Sequence, residues 1–149
     1  MKKVIISALL ICFSLSIYAE RNLVRIEDVK AFLKTTTYVV LEDNPTAAYN
    51  FKIQESIEKS WTITPYKFIT SKEFEKIRND IDKSFLVLIQ MKFDSDKMPA
   101  VYNFLSLSMG AAVKKITDMP DICSLPLGYK DVPEDTYVYK IEGLINRVS

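Results

Sequence analysis

Hydrophobic residues first form one long uncharged segment and then recur in shorter, periodic patterns along the rest of the chain. Residues 4–18 carry no charge, follow two lysines and precede Ala19 and a charged pair. A basic start, an apolar stretch and a small residue at its end are the parts of a secretory signal. The stretch is shorter than the roughly eighteen residues of a membrane-spanning helix. We therefore expect residues 1–19 to be removed on export, leaving residues 20–149 without a transmembrane anchor.

Apolar positions three or four residues apart predict helices in the first half of the mature chain. One such pattern covers residues 23–33. A second helix is expected to run from Pro45 to about Ser60, with Asn44 as its cap and proline at the first helical position. Its buried stripe repeats every four residues and comprises Tyr49, Ile53, Ile57 and Trp61. Residues 70–73 have the form of a capping box, opening a short helix with Phe74, Ile77 and Ile81 turned inward.

Strand patterns separate these helices. Residues 35–41 and 62–69 are rich in β-branched and aromatic side chains, and Pro65 suits an edge strand or a bulge in the second of them. Residues 85–89 are continuously apolar, as expected of a strand covered on both faces. Strand, helix and strand in succession predict parallel neighbours joined by right-handed crossovers.

Strict alternation over residues 101–109 predicts the second arm of a long antiparallel hairpin. Asn103 and Leu105 point to one side, and Tyr102 and Phe104 point to the other. If no other element covers the hairpin, these two aromatic side chains form the leading candidate for a partner-binding surface.

The last forty residues give weaker signals. Prolines interrupt residues 110–133, residues 136–139 suggest a last strand, and apolar spacing over residues 141–148 predicts a final helix. Together these elements predict a single α/β domain with a mixed sheet, strand–helix–strand units and an antiparallel hairpin.

Composition excludes several chemistries. The chain has no histidine, so it lacks the commonest general base and neutral metal ligand, and we expect no cofactor and no metal site. Removing Lys2 and Lys3 with the signal turns the formal net charge from +1 to −1, which gives no electrostatic reason to bind nucleic acid. Cys12 is also lost with the signal. Bulky Ile11 before it argues against a lipoprotein site.

Three further sites are open to a chemical and a structural interpretation. Glu42, Asp43 and Asn44 follow the first predicted strand at its carboxyl end, where α/β sheets bind ligands, but acidic residues also stabilise a helix N-terminus. Residues 94–96 resemble the start of a calcium loop and lack its glycine and closing glutamate, which favours a solvated turn. Cys123 has acidic neighbours that raise a thiol pKa, which favours an inert thiol.

Several segments resemble an uncharacterised group of exported Bacteroidetes proteins. They are residues 37–45 (TYVVLEDNP), 61–66 (WTITPY), 85–88 (FLVL) and 102–107 (YNFLSL). This resemblance implies that the protein is exported and belongs to a Bacteroidetes lineage. It supplies no site residues. The order of elements is also similar to small periplasmic α/β domains, namely the N-terminal domain of the Tol-system propeller protein and the curli-secretion lipoprotein.

The sequence thus predicts an exported periplasmic or secreted protein that is more readily explained as a binding module for an envelope protein than as an enzyme. Two alternatives stay open. Glu42 or Asp43 could work with a second acid in a hydrolase acting on glycans, which requires two carboxyl groups in a cleft. The strand ends could instead enclose a small ligand in an apolar pocket.

Overall fold

The computed structural model describes residues 24–93, 97 and 99–149, so the predicted signal, Cys12 and residues 94–96 lie outside the described residues. The described elements, in chain order, are α1 (Ile26–Phe32), β1 (Thr36–Leu41), α2 (Ala48–Ser60), β2 (Tyr66–Thr70), α3 (Ser71–Ile77), β3 (Lys83–Met91), β4 (Tyr102–Met109), a 3-10 turn (Ile116–Asp118), β5 (Asp121–Tyr129), α4 (Asp135–Val138) and α5 (Lys140–Val148). Among these described residues, no helix combines the length and the hydrophobicity that a membrane-spanning segment requires.

One mixed sheet contains the five strands in the order β2-β1-β3-β4-β5. β1 lies parallel to both β2 and β3, and Val39 pairs with Phe68 on one side and Leu86 on the other. β4 lies antiparallel to both β3 and β5, so that Tyr102 stands opposite Met91 and Tyr129. The predicted α/β domain, with its strand–helix–strand units and antiparallel hairpin, is confirmed.

The first face of the sheet carries the larger core. The predicted stripe of Tyr49, Ile53 and Ile57 on α2 and Trp61 at its C-cap is buried there, which confirms the sequence prediction. α5 packs beside α2 and buries Ile141 and Ile145 against the same strands. α1 is shorter than predicted. It buries Phe32 and leaves Ile26 62% exposed.

The second face carries a smaller core beneath α3. The predicted capping box is present, since Thr70 Oγ1 accepts the Glu73 N–H at 3.2 Å and Glu73 Oε2 accepts the Thr70 N–H at 2.8 Å. The box starts α3 and directs Phe74 onto Phe85 of β3, with ring centroids 5.1 Å apart. Met119 beyond the 3-10 turn is buried in the same cluster.

The start of α2 corrects one prediction. The helix begins at Ala48. The side-chain oxygen of Asn44 accepts the N–H (3.1 Å) and the hydroxyl (2.9 Å) of Thr46, so Asn44 stabilises a turn before the helix and does not cap it. Pro45 therefore lies in the preceding turn. The first N–H groups of the helix are bound by Glu134, which lies far away in the sequence.

Three other element predictions were wrong. β2 starts at Tyr66, since residues 62–65 form a loop whose Thr64 binds the Trp61 indole. Ile81 is 69% exposed, because α3 ends at Ile77 and the chain turns before β3. Residues 136–139 belong to helical turns, and the Thr136 hydroxyl donates to the Pro133 carbonyl at 2.6 Å in the first turn of α4. β5 itself was not predicted.

Candidate functional site

Four aromatic rings form a continuous row at one end of the second sheet face. This aromatic row consists of Phe93, Tyr102, Phe104 and Tyr129. The ring of Phe93 lies 5.7 Å from that of Tyr102 and 6.1 Å from that of Phe104, and Tyr102 lies 5.1 Å from Tyr129. Tilted and edge-on contacts at these distances are the favoured geometry for aromatic pairs.

Strand pairing places these rings together. Tyr102 and Phe104 lie two residues apart on β4 and so share a face, as the alternation predicted, with the buried side chains of Asn103 and Leu105 on the other side. Tyr129 stands directly opposite Tyr102 on β5. Phe93 lies just beyond the end of β3 and reaches both β4 rings. Three successive segments therefore contribute to one surface.

Exposure differs along the aromatic row. Phe104 and Tyr102 are partly buried and anchor the row to the sheet, whereas Phe93 is 43% exposed and Tyr129 is 55% exposed. The sequence identified the two anchoring rings but missed the two exposed ones. A signal existed for Phe93, which continues the alternation of Ile89 and Met91 on β3. None existed for Tyr129, because β5 was not recognised.

A second feature is an open groove of about 310 Å³ beside the carboxyl end of β1. We call it the acidic groove, because the charged residues that line it are Glu42, Asp43 and Glu75. Its apolar lining comes from β1, β3, α3 and the 3-10 turn. The lining residues are Val40, Leu41, Phe74, Val87, Leu88 and Ile116. The groove thus combines an apolar floor with an acidic edge.

Asn50 fixes the backbone of the turn that carries this acidic edge. Its side-chain oxygen accepts the N–H of Glu42 at 2.8 Å, and its amide nitrogen donates to the carbonyls of Glu42 at 3.0 Å and Asn44 at 2.9 Å. Asn50 is buried on α2, so the turn is held by a rigid element. The side chain of Asn44 itself is occupied with Thr46 and does not line the groove.

Glu134 forms the clamp between the C-terminal segment and α2. Its two carboxylate oxygens accept the N–H groups of Ala48 at 3.0 Å and Tyr49 at 2.8 Å, where the positive end of the helix dipole favours a negative charge. Partial desolvation of its carboxyl group and the nearby Glu134 carboxylate both raise the pKa of Glu42 above its ordinary value. Burial, aided by Glu134, also raises the pKa of Tyr137.

The carboxylates of Glu42 and Asp43 lie on an exposed turn. In the part of the chain that the structure describes, neither side chain takes part in a hydrogen bond or a salt bridge that would orient it. A general acid or nucleophile needs such orientation relative to a second carboxyl group. Among residues 24–93, 97 and 99–149, no group of three acidic or cysteine side chains is placed to hold a metal ion.

Cys123 lies half-buried on β5 and is free. Burial and the nearby Asp121 carboxylate raise the pKa of its thiol, so the thiolate is disfavoured at neutral pH. The pattern of neighbouring acids in the sequence had indicated the same direction.

Comparison of the chain with known protein families, with curated protein sequences and with solved structures finds no match. The resemblance to exported Bacteroidetes proteins therefore stays a prediction from the sequence.

Proposed function

We propose that this protein is an exported, non-enzymatic interaction module that binds an envelope protein through the aromatic row. The observation that supports the proposal is the partly exposed stack of Phe93, Tyr102, Phe104 and Tyr129 on one sheet face. Aromatic side chains bring a large contact area at low cost in side-chain entropy, and they dominate the binding energy of many interfaces.

The arrangement of the row supports a binding role further. The two inner rings lie on β4, and the outer rings of Phe93 and Tyr129 pack against them. Preorganisation of this kind lowers the entropy lost on association. By contrast, the unoriented carboxylates of Glu42 and Asp43 give the alternative of a glycan hydrolase no comparable support.

Site-specific photo-crosslinking tests this proposal. A photoreactive phenylalanine analogue replaces Tyr129 in one variant and Tyr139 in a matched control, in cells of the source organism. Tyr139 is also an exposed tyrosine, at 65%, but it lies between α4 and α5 outside the row. We expect a discrete adduct with a protein partner from position 129 and none from position 139. Equal adduct yields at both positions, or none at either, would contradict the proposal.

A further inference from the structure

The outer edge of β5 is one end of the described sheet, where backbone groups lie outside the hydrogen-bond ladder. β5 is the last strand in the sheet order, and β4 is its neighbour. The Lys130 N–H donates to the Val101 carbonyl at 2.9 Å, so the backbone groups of the next residue, Tyr129, point away from β4. β4 keeps its alternation throughout, so Ser124 and Pro126, which pair with its even-numbered residues, face outward as well.

Three features reduce the ability of this edge to pair with another strand. Pro126 has no N–H to donate at one of the outward positions. Two register shifts interrupt the β4–β5 ladder, and such irregularities bend a strand locally. One shift leaves Leu127 out of the register with β4, and its carbonyl accepts a hydrogen bond from the Lys140 ammonium at 2.6 Å. Prolines, bulges and lysines are the features that protect edge strands of natural proteins from pairing with other chains.

We propose that Lys140 of α5 and Pro126 of β5 prevent the outer edge of β5 from pairing with the β5 edge of a second copy of this chain. The fold places Lys140 for this role, because α5 begins at Lys140 and packs beside β5. Its ammonium occupies a carbonyl that would otherwise accept an N–H of an added strand, and that strand would also have to desolvate its charge. The proposal goes beyond the function of the aromatic row, because it concerns backbone groups at an edge of the sheet.

The charges of β5 favour a second copy as the strand that would add. Asp121 begins the strand, Lys130 follows its last residue, and both are exposed. Residues 122–129 between them carry no charge. In an antiparallel pair of two β5 strands, the start of one lies beside the end of the other, so each Asp121 would approach Lys130 of the second copy. Such a pair is self-complementary, as a two-fold dimer requires.

Removal of the two protecting groups tests the inference on the mature chain. Lys140→Met keeps most of the side-chain length and loses the ammonium, and Pro126→Val restores an N–H at an outward position. We expect the double variant to dimerise with a Kd at least about tenfold below that of the parent protein, as measured by analytical ultracentrifugation. Lys140→Met alone should lower the Kd in the same direction, so the test does not depend on the folding of the double variant.

Two further variants separate the edge from a general effect of charge. Lys72→Met is the matched control, because Lys72 is an exposed lysine on α3, which packs over β1 and β2. It should behave as the parent protein does. Adding Lys130→Glu to the double variant places like charges at both ends of the strand pair, so it should raise the Kd again.

Hydrogen exchange followed by NMR locates the contact. In the dimer of the double variant, the outward amides of Ser124 and Tyr129 should exchange at least about tenfold more slowly than in the parent protein. A double variant with the Kd of the parent would overturn the inference. A dimer in which these two amides exchange at the parent rate would also overturn it, because the copies would then associate elsewhere. A parent protein that already dimerises with both amides protected would show that the edge is not closed.

Discussion

Removal of the Glu134 carboxylate should weaken the attachment of the C-terminal segment to α2. In Glu134→Ala, the N–H groups of Ala48 and Tyr49 lose both acceptors at the start of a thirteen-residue helix. Loss of a helix cap costs about 0.5–2 kcal/mol, and loss of a favourable charge at the helix dipole costs about 0.3–1 kcal/mol. Part of this cost is offset, because Glu42 is relieved of a like charge. We expect a net loss of about 1.5 kcal/mol in the free energy of unfolding.

Urea denaturation followed by the fluorescence of Trp61 measures this loss. Trp61 is the sole tryptophan of the chain and is buried in the main core, so its emission reports global unfolding. Asp135→Asn is the matched control, because Asp135 is exposed and next in sequence. The midpoint should fall for Glu134→Ala with an unchanged slope, and Asp135→Asn should stay close to the parent protein. A Glu134→Ala midpoint equal to that of the control would refute the capping argument.

A second substitution of Glu134 tests its electrostatic effect on Glu42, which a stability measurement does not report. In Glu134→Gln, Glu42 loses its negative neighbour, so its pKa should fall toward the ordinary value while partial desolvation keeps it raised. Titration of the Glu42 side-chain carbon signal by NMR measures the change. An unchanged Glu42 pKa would show that the two carboxylates do not interact.

Three further variants test other parts of the structure. Glu42→Gln should stabilise the protein by about 0.5 kcal/mol or less at pH 7 and should have no such effect at pH 3. The raised pKa of Glu42 means that ionising this carboxyl group lowers the stability of the folded state, and this cost appears as pH rises above the ordinary pKa of 4.5. Urea midpoints at both pH values measure the difference. Lys59 and Lys52 lower the pKa of Glu142 to about 2. The stabilisation from these ion pairs is therefore present above about pH 4.5 and is lost as pH falls through about 2. In Glu142→Gln, the free energy of unfolding should fall less steeply over that pH range than it does in the parent protein. Gly110→Ala should cost about 3 kcal/mol by denaturation, because a Cβ there would lie 1.9 Å from the Asp80 carbonyl oxygen.

The elements that the sequence predicted well are those with an unbroken local pattern. The α2 stripe repeats at helical spacing up to Trp61, and the capping box at Thr70 is complete within four residues. Alternation along β4 correctly placed Phe104 and Leu105 on opposite faces of the sheet, because successive side chains of a strand point to opposite sides.

The elements that were missed depend on contacts between distant segments. β5 pairs with β4 through two register shifts, so the alternation of its apolar residues is broken. It also contains Pro126, which an edge strand tolerates because proline has no N–H to donate to a neighbouring strand. The true cap of α2 comes from Glu134, more than eighty residues away, which no local motif can show. For the same reason, no local pattern indicated that Tyr129 would join Tyr102.

Oxidative footprinting of the aromatic row tests the central claim most directly. Hydroxyl radicals label exposed aromatic rings, and mass spectrometry compares the labelling of the purified mature chain with that of the chain in its native envelope extract. If the row is covered by a partner, Phe93 and Tyr129 should be labelled in the purified protein and protected in the extract, while Tyr139 is labelled equally in both. Equal labelling of Tyr129 in both preparations would contradict the account.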